Sequence, residues 1–167
     1  MPISPLTNKV IAYPVIPDFN TDSCVDWAIE MIGIGYDSEN ILMLAGLSKP
    51  TNYFETISHL NNALAELNLQ PKAGEEGIIS HSSYYISLIS EGIEVRENLD
   101  IVYGLCLKLD YSSIIYDFSL LRWAWDDLDY DENAWPTYWE GATINNIKQL
   151  VIEAAKSWLE QNKAIYS

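Results

Sequence analysis

Between Tyr53 and Leu67 the apolar side chains fall at Tyr53, Phe54, Ile57, Leu60, Leu64 and Leu67, mostly in steps of three and four. That spacing places them along one face of an α-helix. The step recurs at Ile114, Phe118, Leu121, Trp125 and Leu128, and again at Ile144, Ile147, Leu150, Val151, Ala154, Ala155, Trp158 and Leu159. Paired strands joined by Asn-Gly or Asp-Gly turns have no counterpart in the chain. The periodicity predicts an all-α fold of six or seven helices.

A length of 167 residues suits one compact domain spanning 1–167, and 49% hydrophobic residues suffice for one core. Pro2, Pro5, Pro14 and Pro17 predict an extended lead-in over residues 1–21. Asp22 or Ser23 then caps a short helix carrying Val25, Ala28, Met31 and Ile32, stopped by Gly33 and Gly35. Asp37 or Ser38 caps a second. Asn52 with Glu55 forms a capping-box pattern for the third. Residues 70–78 read as a loop, Ser82–Ser90 as a fourth helix ended by Gly92, and Asn98–Leu109 as a fifth. Part of that last segment, Ile101–Leu109, also reads as a strand, although Val102, Cys106 and Leu109 favour helix. Ser112–Leu128 is apolar except for a thin stripe of Ser119, Arg122, Asp126 and Asp129, which predicts a central, mostly buried helix. A final helix runs from Thr143 to about Gln161. Short helices at similar spacing are compatible with helical-repeat-like stacking.

Charge narrows the function. Twenty-four acidic residues against nine basic ones leave a net charge of -15, and the basic residues form no cluster. Direct nucleic-acid binding and anionic membrane surfaces are therefore disfavoured, because both require grouped cations. The apolar stretch Gly77–Ser90 is too short to span a bilayer. The N-terminus lacks the basic start and apolar run of a signal peptide. Cys24 and Cys106 read as buried thiols rather than a disulfide framework. A cytoplasmic protein without a cofactor is the expectation.

Catalytic signatures are weak. His59 lies on the polar side of its helix beside Asn62. Ser80-His81-Ser82-Ser83 sets serines beside a possible base, but adjacent helical residues point in different directions. No pair of histidines or cysteines has zinc-ligand spacing. Asp126 and Asp129 share a helix face and so form a carboxylate pair of the kind a hydrolase uses. Counted from Asp129 as first position, a twelve-residue calcium loop would take oxygens from Asp129, Asp131, Asn133, Thr137 and Glu140. Ala134 stands where that loop wants glycine, and Pro136 lies at its eighth position.

The stretch Leu120–Gly141, LLRWAWDDLDYDENAWPTYWEG, holds four of the six tryptophans and six acids against one arginine. Trp125 is in register with Phe118 and Leu121 and reads as core. Trp135, Tyr138 and Trp139 flank Pro136 in an expected loop. Aromatics rimmed by acids make a binding surface for a basic protein, so Asp127, Asp131, Glu132, Trp135, Tyr138 and Trp139 are the expected contact residues. In size, acidity and scarcity of cysteine the chain resembles small bacterial immunity proteins. That resemblance implies a non-enzymatic protein in tight complex with a basic toxin domain such as a nuclease. An acidic inhibitor of a nucleic-acid-binding enzyme is a close variant; a calcium-binding helical domain and a carboxylate hydrolase are the alternatives.

Overall fold

The computed structural model describes residues 2–167. Every regular element among them is a helix: α1 (Thr7–Val10), α2 (Asp22–Gly33), α3 (Glu39–Ala45), α4 (Tyr53–Glu66), α5 (Gly74–Ser90), α6 (Val95–Lys108), α7 (Tyr116–Tyr130) and α8 (Ile147–Tyr166). The all-α expectation holds, with eight helices among the described residues rather than six or seven, and Ile101–Lys108 is helix rather than strand. The chain forms two compact units, one ending at His81 and one running from Ser82 to Ser167.

In the first unit, α2 packs on α3 and α3 on α4, burying Cys24, Val25, Trp27, Ala28 and Met31 of α2, Ile41 and Leu44 of α3, and Leu60, Ala63 and Leu64 of α4. The indole N–H of Trp27 donates to the hydroxyl of Thr7 at 2.9 Å, so the largest buried side chain also ties α1 to α2. Of the lead-in expected over residues 1–21, the described part, 2–21, is thus not extended. It turns repeatedly, forms α1, and buries Leu6, Val10, Ile11 and Ala12. Prolines suit such turns as well as extended chain, which is why they misdirect here.

Several helix starts also differ from expectation: α6 begins at Val95, α7 at Tyr116 and α8 at Ile147 rather than at Asn98, Ser112 and Thr143. The Asp22 carboxylate does not cap α2. It accepts from the backbone N–H of Thr51 at 2.8 Å and from the Thr51 hydroxyl at 2.9 Å. Those bonds, the backbone one foremost, hold its pKa below the ordinary carboxylate value. Helix α5 begins at Gly74, inside the segment read as a loop, so Ser80–Ser83 lie in its middle. On α4 the cap is as expected: the Asn52 side chain accepts from the Glu55 N–H at 3.1 Å. Its buried face, however, is Thr56, Leu60, Ala63 and Leu64. Thr56 can be buried because its hydroxyl donates to the Asn52 carbonyl at 2.6 Å. Phe54, on the other side, is 83% exposed.

Four helices end alike. At Gly35, Asn68, Gly92 and Asp110 the backbone turns left-handed. The next residue's N–H reaches five residues back, as in Tyr36 to Met31 at 2.9 Å and Ile93 to Leu88 at 2.9 Å. This Schellman pattern satisfies carbonyls that the helix leaves unpaired.

In the second unit, α6 buries Leu99, Val102 and Cys106, α7 buries Phe118, Leu121 and Leu128, and α8 buries Ile147, Val151 and Ala155. The Trp158 indole N–H donates to the Ile114 carbonyl at 2.8 Å, and its ring meets Phe118 edge-on at 6.4 Å. Cys24 and Cys106 are buried free thiols, and burial pushes Cys24 up to about 12.

Two helical glycines should respond oppositely to alanine. A Cβ on Gly77 would lie 2.6 Å from the Lys72 carbonyl oxygen and 2.6 Å from Val15 Cγ1, whereas one on Gly104 meets nothing within 4 Å. We expect Gly77→Ala to destabilise by about 1–3 kcal/mol and Gly104→Ala to stabilise by about 0.5–1 kcal/mol. Urea unfolding of both variants checks this; shifts of the same sign contradict it.

Candidate functional site

Both arginines of the chain lie in the seam between α6 and α7. Arg96 of α6 reaches across to Asp126 at 2.7 Å and Asp129 at 3.2 Å, and along its own helix to Asp100 at 3.7 Å. Arg122 of α7 reaches back to Asp100 and down to Asp126. Burial works against the Arg122 charge, but its hydrogen bonds to Asp126 and Asp100 outweigh that and raise its pKa. Each guanidinium also lies over a ring: Arg96 is 4.9 Å from the Trp125 centroid and Arg122 is 5.7 Å from that of Tyr103. The stripe of Ser119, Arg122, Asp126 and Asp129 is therefore an ion-paired face, with Ser119 fully buried and both aspartates about half exposed. Trp125, expected in the core, is only half-buried, with Arg96 over its ring.

This seam changes the reading of two other candidates. Asp126 and Asp129 are held by arginine rather than standing as an unpaired acid–base couple. Asp129 belongs to the last turn of α7 rather than to a loop, so the twelve-residue span from Asp129 to Glu140 does not begin as a calcium loop does. Asp131 spends one carboxylate oxygen on the Asn133 N–H at 3.0 Å. Among the described residues no three His, Cys, Asp or Glu side chains converge as a metal-binding group.

The six expected contact residues divide. Asp131 and Glu132 are exposed in the loop after α7, and Trp135 stands out at 83% exposure. Tyr138 is 41% exposed and packs on Trp123 with centroids 5.4 Å apart. Trp139 turns inward and lines a cavity of about 360 Å³ with Phe118, Leu150 and Trp158. Asp127 is half-buried on α7. Tyr130, at the end of α7, is 95% exposed and belongs with Trp135 as a solvent-facing aromatic.

A second aromatic group was not anticipated. Trp123 is ringed by Tyr103 at 6.1 Å, Tyr111 at 6.3 Å, Tyr116 at 6.2 Å and Tyr138 at 5.4 Å. Its indole N–H donates to the Tyr103 hydroxyl at 3.1 Å, which fixes the ring. Tyr111, Ser113, Tyr116, Asp117 and Trp123 line a cavity of about 540 Å³. One signal was available: Tyr116 and Trp123 stand seven residues apart, two turns along one helix face. Tyr111 carries no such signal, since a turn rather than a helix brings it in.

His81 and its serines sit inside the molecule. Ser80, His81, Ser82 and Ser83 are all buried, and His81 is 7% exposed. The Ser80 hydroxyl donates to the Asn8 carbonyl at 2.9 Å, and His81 Nδ1 lies 3.2 Å from the Lys9 carbonyl. A general base must reach a substrate proton, and this one is covered. His59, half-buried on α4, has Nδ1 3.3 Å from the Asn40 side-chain oxygen. No helix among the described residues is long and apolar enough to cross a membrane.

Burial pushes the His81 pKa down from 6.5 to about 4. Below 6.5 the unfolded chain takes up the proton while the folded one resists it until about 4, so stability falls as the pH drops through that window. The loss attributable to His81 is about 3 kcal/mol. Wild type should lose that much more than His81→Gln in urea unfolding across the window; parallel losses contradict the assignment.

No protein-family model, curated protein or solved structure matches this chain.

Proposed function

We propose that this chain is a non-enzymatic acidic binding protein whose partner is a basic protein. The observation that carries the reading is Trp135, 83% exposed in a loop whose acids Asp131, Glu132 and Glu140 are also exposed. An indole left in water is unfavourable unless something covers it, and aromatic anchors ringed by polar groups are how interfaces concentrate affinity. The partner should be basic because the net charge is -15 and both arginines are already committed to the α6–α7 seam. Trp135 and Tyr138 supply apolar burial, Asp131 and Glu132 the attraction, and Asp127 and Trp139 the inner edge. A toxin-neutralising role, or inhibition of a nucleic-acid-binding enzyme, is the finer form of this reading. In either, the acids replace nucleic-acid phosphates as the counter-charge.

The test is kinetic, on the partner recovered by affinity capture from the native cell. Neutralising Asp131 and Glu132 together should slow association and flatten its salt dependence. Trp135→Ala should leave association nearly unchanged and raise the dissociation rate, costing about 2 kcal/mol. Variants that stay folded and bind as wild type would place the interface elsewhere.

A further inference from the structure

The cavity beside Trp123 is built unlike the loop. The Tyr111, Tyr116 and Trp123 rings form a near-equilateral triangle, with centroid separations of 6.4, 6.3 and 6.2 Å. Their planes are inclined at 76°, 48° and 81°, so the rings meet edge-to-face or tilted rather than stacked. A positive group gains from a ring when it lies within about 6 Å of the centroid. Rings this close let one head group satisfy that for all three. Asp117 adds a carboxylate to the lining and Ser113 a hydroxyl. The space, about 540 Å³, is open to solvent beside the half-exposed Tyr111 and Tyr116, so a side-chain head can enter it directly.

The rings are also held in place. Tyr111 follows Asp110 in a left-handed turn, with φ of 57° and 53° respectively. Two successive non-glycine residues in that region are uncommon, and a bulky tyrosine there is a conformation the surrounding structure must enforce. The turn is what carries the Tyr111 ring round against α7. Trp123 is fixed through its bond to Tyr103. The same unit already pairs guanidinium with rings, at Arg96 on Trp125 and Arg122 on Tyr103.

We infer that the Tyr111–Tyr116–Trp123 cavity is a cation site that takes the ammonium or guanidinium head of a lysine or arginine side chain. That occupant rests on the basic partner proposed above. A free quaternary ammonium compound has the same head-group chemistry, and the test separates the two sources.

The intact protein, labelled with 15N in its indoles, is titrated with N-acetyl-lysine amide, N-acetyl-arginine amide, choline and 3,3-dimethylbutanol, the neutral isostere of choline. The Trp123 indole signal is assigned by its loss in Trp123→Phe. The expected result is a saturable shift of that signal by the cations, with the neutral isostere about tenfold weaker than choline. Asp117→Asn should weaken cation binding several-fold, and Tyr116→Leu should remove the preference for charge while the other indole signals stay in place. Tighter binding of either amide than of choline supports a partner side chain, and the reverse order overturns that occupant. Equal binding of the neutral isostere, or no saturable shift, overturns the cation site itself. The titration needs no partner, so its failure is separable from a failure of the Trp135 kinetics.

Discussion

The ion-paired seam between α6 and α7 is the interaction on which the second unit depends. Arg96 and Arg122 are interleaved with Asp100, Asp126 and Asp129, so two cations hold three anions. The carboxylates are about half exposed, with side-chain exposures of 47% to 52%, while the arginines are at 25% and 18%. Each pair alone is worth little at such exposure, about 0.2–1 kcal/mol. Shared ligands and the rings beneath each guanidinium make the network count for more than one pair. It links α6 to α7 on the same helix that carries Trp123, Trp125 and Tyr130.

Charge distribution follows from that arrangement. With both arginines taken up internally, the acids of the loop after α7 face solvent without a guanidinium nearby in sequence. A chain this acidic repels itself, and a cationic partner relieves the repulsion. The two aromatic groups would then divide the work of recognition. In that proposal Trp135, 83% exposed in the loop after α7, offers area to bury, and the rings around Trp123 offer a place for one charge.

Helical periodicity made the fold class, α4, α7 and α8 readable from sequence, because apolar spacing reports directly on burial. Which flank of α4 is buried was not readable. Phe54 outranks Thr56 in hydrophobicity, yet Thr56 is buried because it satisfies its own hydroxyl on the preceding turn. The start of α5 was missed because Gly74 and Gly77 look like loop residues; Gly77 is needed for the close approach of Lys72 and Val15. In the candidate site, the exposure of Trp135, Asp131 and Glu132 agreed with a loop reading of that stretch. The ion pairs of the α7 polar stripe were not readable, since its partners Arg96 and Asp100 lie on another helix. Tyr111 depends on a turn conformation that no local propensity signals.

The most direct test of the seam is urea unfolding of wild type and an Arg96→Met, Arg122→Met double variant, each at low and at molar sodium chloride. Methionine keeps much of the apolar stem, so the difference between the two proteins reports charge. The account predicts a deficit of about 1–3 kcal/mol in the variant at low salt. Screening of the three facing aspartates should shrink that deficit by half or more at high salt. A deficit that is absent, or that salt leaves unchanged, would contradict an electrostatic seam and leave packing alone to position the aromatic surface.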